Sequence, residues 1–176
     1  VAMGFTSISA FMLVYAEERG ISGGSLFFTV YALTLLVTRP TVGKLTEKYG
    51  FVKIAIPALM MTACSLVMIG LSTNLLMLLF AAFVNSFGYG AVQPMLQSLC
   101  MKSVPTERRG SASGTNYIFL DSATIIGPSV CGIVADKMGY TPTMWTVMTV
   151  PVIFAVIFAY LFRMRINKIE SEFAQR

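Results

Sequence analysis

The sequence predicts an all-α, polytopic membrane protein with six transmembrane helices, and three observations predict it. Hydrophobic residues make up 56% of the chain and charged residues only 12%, about half the share of roughly 25% that soluble domains carry. No charged residue stands between Lys53 and Lys102, and since a span takes roughly 20 apolar residues, this stretch has room for two helices and a tight turn. Basic residues are also segregated. Arg39, Lys44, Lys48, Lys53, Lys102, Arg108, Arg109, Arg163, Arg165, Lys168 and Arg176 fall on one side of such a bundle, and only Arg19 and Lys137 on the other. That asymmetry sets orientation, with the basic side and the C-terminus cytoplasmic.

The elements follow in order. A first apolar segment covers about residues 1–16. It opens at Val1 without a basic region before it, and reads as a clipped helix rather than a signal peptide. The second lies in the uncharged stretch 20–38. The third, 54–71, turns at Ser72-Thr73-Asn74 into the fourth, 75–100. The fifth covers 111–135 and the sixth 143–162, so residues 1–162 form the membrane domain and 163–176 a mixed-charge cytoplasmic tail. Backbone groups in hydrocarbon must pair within the segment, which makes these segments helices. The alternating ten-residue strands of a barrel are not seen. Trp145, Tyr140 and Tyr160 stand near the ends of the sixth segment, as interfacial aromatics do.

Composition narrows the chemistry. Histidine is absent, so any proton relay falls to a carboxylate. Cys64, Cys100 and Cys131 are odd in number, lie in apolar runs, and read as packing residues rather than a metal or disulfide framework. No nucleophile–base pair, metal cluster or phosphate loop is visible, so an enzyme is not expected, nor a cofactor. The pI near 9.3 reflects cations flanking spans and follows no nucleic-acid-binding motif.

Polar residues inside the spans mark the candidate site. The third and sixth segments carry few and read as lipid-facing. In the fourth, Asn85, Tyr89, Gln93 and Gln97 recur every four residues and so share a face. Amides facing lipid are costly. Two readings stay open, a cavity wall or hydrogen bonds between helices. Pro94 in this helix, and Gly127 and Pro128 in the fifth, are candidates for helix bending. Asp121 is the one ionisable residue well inside a span, a functional candidate by default. It shares its face with Tyr117, Thr124 and Pro128. A structural carboxylate held by a nearby arginine or helix end is the alternative. Ser7 in the first segment and Tyr31 in the second are further cavity candidates. With no Arg or Lys assigned to a span, anionic cargo is not expected.

Two loops carry a resemblance. Gly43, Leu45, Glu47, Lys48, Gly50 and Lys53 match G-x-L-x-[DE]-[RK]-x-G-x-x-[RK], and the loop that holds them resembles the cytoplasmic signature of the major facilitator superfamily. There the glycines permit a sharp turn, and the acid can cap a helix N-terminus. The run Val104–Gly114, with Pro105, Arg108, Arg109 and Gly110, resembles the lead-in to the penultimate helix of that family. Ile126-Gly127-Pro128 through Gly132 resembles its antiporter glycine-proline motif, although Cys131 replaces a small residue and the upstream glycine is missing. The resemblance spans the whole chain and looks like the C-terminal six helices of a twelve-helix transporter, within the drug/proton antiporter branch.

The resemblance implies a plasma-membrane secondary transporter half that works by alternating access; the aromatic, Met and amide content of its cavity-forming segments points to export of an organic or amphipathic compound, and Asp121, by its place inside a span, is the candidate for proton coupling. Asn85, Tyr89, Gln93, Tyr117, Tyr31 and Ser7 would face the cargo. Arg39, Gly43, Glu47, Lys48, Gly50, Arg108 and Arg109 would gate the cytoplasmic side, with Glu47 against an N-terminal six-helix half. Proton-coupled uptake of a neutral or cationic metabolite is the alternative. A truncated, non-transporting membrane module is the alternative of another class.

Overall fold

The computed structural model describes residues 2–139, 153–158 and 160–161. Among the described residues the helices are α1 (Ala2–Glu18), α2 (Leu26–Tyr49), α3 (Phe51–Leu71), α4 (Leu75–Lys102) and α5 (Arg109–Met138), the last preceded by a 3-10 turn at Thr106–Arg108. Residues 153–158 and 160–161 are also helical and fall in the predicted sixth segment. The rest of that segment, including Trp145, the preceding Tyr140, and the tail lie outside the described residues. No strand occurs among the described residues, and α2, α3, α4 and the stretch 106–138 are each long and apolar enough to cross a membrane.

Helix ends follow local chemistry. Gly20 takes φ 67°, its N–H bonding Glu17 O and the next N–H, of Ile21, bonding Ala16 O at 2.8 Å; this double bond and left-handed glycine stop α1. Asn74 caps α4, its Oδ1 accepting from Met77 N–H at 2.9 Å, which satisfies an otherwise orphan donor. At the far end of α3 the last carbonyls are met by α1. Tyr15 Oη donates to Ile69 O at 2.8 Å, and the Arg19 guanidinium donates to Gly70 O and Ser72 O. A cation at a helix C-terminus also complements the dipole.

The second helix departs from its sequence-based bounds. It starts at Leu26 rather than near Gly20, and it continues through the signature loop to Tyr49. Only Gly50, at φ 86°, turns the chain, and it joins α2 directly to α3. Gly43 lies within the helix, where no turn occurs. The expectation that both glycines make a sharp turn is corrected: the segment Arg39–Tyr49 has a helix's hydrogen bonds and Pro40 sits inside it. The expectation that no cation stands within a helix long enough to span is corrected with it, because Arg39 does. Pro94, Gly127 and Pro128 are likewise inside uninterrupted helices.

Packing pairs α4 with α3 and α2, and α1 with α5. Exchanging α1 with α4 and α2 with α5 turns the α1–α5 pair into the α4–α2 pair, as two inverted three-helix repeats would. Glycines set the closest approaches. A Cβ on Gly88 would fall 2.6 Å from the Thr62 backbone nitrogen, and one on Gly127 2.9 Å from Met3 O. Core side chains form two clusters, one around Tyr15, Phe27, Ile69 and Leu78, the other around Phe51, Leu59, Val92 and Met95 with Ala155 and Val156 against it. Of the four helices of spanning length among the described residues, α2 and α5 are the least covered by the rest of the chain, 22% and 17% buried against 56% for α4.

Candidate functional site

Three helices frame a cavity of about 170 Å³, lined by Ala2 of α1, by Tyr89, Val92, Gln93 and Leu96 of α4, and by Asn116 and Leu120 of α5. Its polar side chains are two amides and one phenol. Amides offer both donors and acceptors, so the lining can orient a ligand by hydrogen bonds while the rest of the wall stays apolar. Behind Tyr89 lies an aromatic stack. The Phe5 ring stacks on Tyr89 with centroids 4.4 Å apart and planes 9° apart, and lies 5.2 Å from the Tyr31 ring. These contacts join α1 to α2 and α4.

Tyr89, Gln93 and Tyr31 are therefore brought together, with Tyr31 behind the stack rather than on the lining. Asn85 is not with them. It is buried at the α3–α4 seam, where its Nδ2 donates to Ser65 Oγ at 2.8 Å while its Oδ1 has no hydrogen-bond partner. Of the two readings open for it, the geometry is that of an interhelical hydrogen bond. Ser65 Oγ itself donates to Thr62 O and Thr62 Oγ1 to Ala58 O, so α3's hydroxyls bond back to their own turn as expected. They are buried rather than turned to lipid. Ser7 is fully buried, donates to Met3 O at 2.8 Å, and faces Cys131 of α5.

Tyr117 is half-exposed, and its Oη accepts from Gln97 Nε2 at 3.1 Å. This bond crosses from α4 to α5 on the basic side of the cavity. Asp121 stands one turn further along α5, next to the lining residue Leu120. It is exposed and has no ion pair among the described residues; the alternative of an arginine clasp has no support in this geometry.

The signature residues surround a second cavity of about 520 Å³ between α2 and α4, which Arg39, Gly43 and Glu47 line from α2 and Pro94, Ser98 and Lys102 from α4. Arg109 lines a shallower one beside it, with Gln97 and Lys102. Lys48 turns away and sits 5.3 Å over the Tyr49 ring. Arg108 is exposed on the 3-10 turn. Among the described residues no cluster of three His, Cys, Asp or Glu could hold a metal.

Sequence reasoning missed Phe5 and Asn116. Asn116 carried a signal, an amide within an apolar helix beside the selected Tyr117. Phe5 carried none, since an isolated Phe in a span reads equally as lipid-facing.

The sequence matches the model of the Major Facilitator Superfamily over residues 1–175. It is 28% identical over 166 residues to multidrug resistance protein MdtG of Proteus mirabilis, covering 90% of this chain and 40% of that protein. It is 30% identical over 108 residues to multidrug efflux pump SdrM of Staphylococcus aureus, covering 61% and 24%. It is 26% identical over 134 residues to the probable multidrug resistance protein EmrY of Escherichia coli, covering 76% and 25%. The chain thus spans well under half the length of these relatives. A family match over residues 1–175, with four apolar helices of spanning length among the described residues, identifies a multi-pass membrane protein: the chain belongs to the Major Facilitator Superfamily.

Proposed function

We propose that this chain is one six-helix half of a proton-coupled exporter of organic or amphipathic compounds. It works by alternating access against a second six-helix half in the plasma membrane, with its C-terminus cytoplasmic. The observation that carries this reading is the α1–α4–α5 cavity, an amide-and-aromatic lining bordered by an exposed carboxylate, Asp121, on a helix with no other charge between Arg109 and Asp136. The apolar surface left on α2 and α5 is surface that lipid or a second helical body would cover. The efflux names of the relatives support export. Asn85 is withdrawn from the cargo contacts and kept as a tie to α3. Phe5 and Asn116 join them.

The test is substrate-driven proton flux in proteoliposomes, comparing the native protein with Asp121→Asn. The expected result is loss of substrate-coupled proton movement with counterflow exchange retained. Unchanged coupling in Asp121→Asn removes Asp121 from the mechanism. Absence of any substrate-linked proton flux in the native protein removes proton coupling itself.

A further inference from the structure

Arg39 stands inside α2, well before that helix ends at Tyr49, so about 15 Å of helix separates it from the turn. It is exposed and makes no ion pair among the described residues. It lines the α2–α4 cavity of about 520 Å³, with Lys102 lining the same space from the facing helix. The α2 side of that space is open because the residue one turn on is Gly43, where a Cβ would meet nothing within 4 Å. Behind the cations the wall is apolar. Val42, Phe51 and Met95 line the cavity and belong to a packed core cluster. One acid, Glu47, also lines it, two turns from Arg39 along the helix.

We propose that this cavity binds the anionic head of an amphiphile, with Arg39 as its deep counter-ion and the apolar wall receiving the tail. A guanidinium offers a planar fork of donors that matches a carboxylate, sulfonate or phosphate, and Lys102 adds a compact charge from the other side. A small hydrated anion is not the fit, because half of the lining returns no hydrogen bonds to it. Glu47 repels a second negative charge near the lower part of the cavity, which favours a single anionic group. The head could belong to exported cargo or to a phospholipid of the bilayer; the recognition chemistry is the same. The consequence for cargo, a preference for amphiphilic anions over cations, rests on the transport reading above. The binding site does not.

The experiment uses the protein in phosphatidylcholine liposomes with two probes: 8-anilinonaphthalene-1-sulfonate, and N-phenyl-1-naphthylamine, the same ring system without the sulfonate. Saturable binding of the sulfonate should weaken about tenfold in Arg39→Gln, the loss of one charge-assisted contact. It should be largely retained in Arg39→Lys, and the neutral probe should be unaffected. Gly43→Leu, which fills the cavity while keeping the charge, should displace both probes. Unchanged sulfonate binding in Arg39→Gln overturns the proposal, as does an equal loss of both probes in that variant. Added phosphatidylglycerol that competes with the sulfonate identifies a lipid as the natural occupant; absence of competition identifies a soluble anion. Binding through Arg39 without movement of any amphiphile across the membrane would leave the site standing and remove its consequence for cargo.

Discussion

Gln97 on α4 donates a hydrogen bond from Nε2 to the Tyr117 phenol on α5 at 3.1 Å. Contact between these two helices is otherwise sparse compared with the α3–α4 and α1–α5 pairs. Hydrogen bonds between membrane helices contribute on average about 0.6 kcal/mol. A double-mutant cycle with Gln97→Leu and Tyr117→Phe should therefore give a coupling of about 0.6 kcal/mol in reversible unfolding from mixed micelles. A coupling near zero would show that the bond does not tie the two helices.

The Gly88 contact with Thr62 makes a second prediction. Gly88→Ala forces a methyl against α3 backbone, which cannot swing away as a side chain tip can. We expect a loss of about 1–3 kcal/mol in stability. Gly43→Ala enters open space in a helix interior and should be neutral or stabilising by about 0.5–1 kcal/mol. Thermal unfolding in detergent separates the two, and equal effects would contradict the packing described.

Asn85 tests whether an amide in the fourth helix serves cargo or structure. Its Oδ1 is already buried without a partner, so Asn85→Leu removes an unsatisfied group as well as a bond. Ser65→Ala instead strands the Asn85 amide nitrogen, which costs about 1–3 kcal/mol. Ser65→Ala should be the more destabilising change, and transport by Asn85→Leu should stay within about twofold of native, since a tie to α3 makes no contact with cargo. A large rise in KM for Asn85→Leu with intact folding would return this residue to the cavity wall.

The Phe5–Tyr89 stack should matter for cargo affinity. Aromatic pairs contribute about 0.5–1.5 kcal/mol beyond the area they bury, and Phe5→Ala leaves Tyr89 free to leave the cavity wall. KM for an aromatic substrate should rise about tenfold with kcat little changed, as expected when uniform binding is lost. An unchanged KM would mean that the stack only holds α1 to α4.

Much of the architecture was legible in the chain itself. The uncharged run between Lys53 and Lys102 became α3 and α4 almost within the expected bounds, because Asn74 caps one helix at the point where Ser72 ends the other. The bounds failed at α2, where charged residues were read as a loop. A helix persists through Lys44, Glu47 and Lys48 because each residue after Pro40 can still make its backbone bonds, and only Gly50 takes the left-handed conformation that stops it. The four-residue spacing of Asn85, Tyr89 and Gln93 was read as one face, yet a helix turns 3.6 residues per cycle. Over two turns that drift helps part Asn85, against α3, from Gln93, in the cavity.

The sequence by itself determined that this is a helical membrane protein, since hydropathy, charge segregation and helix-capping residues act locally and survive in any arrangement of the helices. Only the tertiary structure decided which polar groups meet. Phe5 and Tyr89, Gln97 and Tyr117, and Arg39 and the α4 wall lie far apart along the chain, and nothing in hydropathy specifies which helix faces which. That is set by close approach at glycines such as Gly88 and Gly127, where the absence of one methyl group lets two backbones touch and fixes the rotation of each helix about its axis.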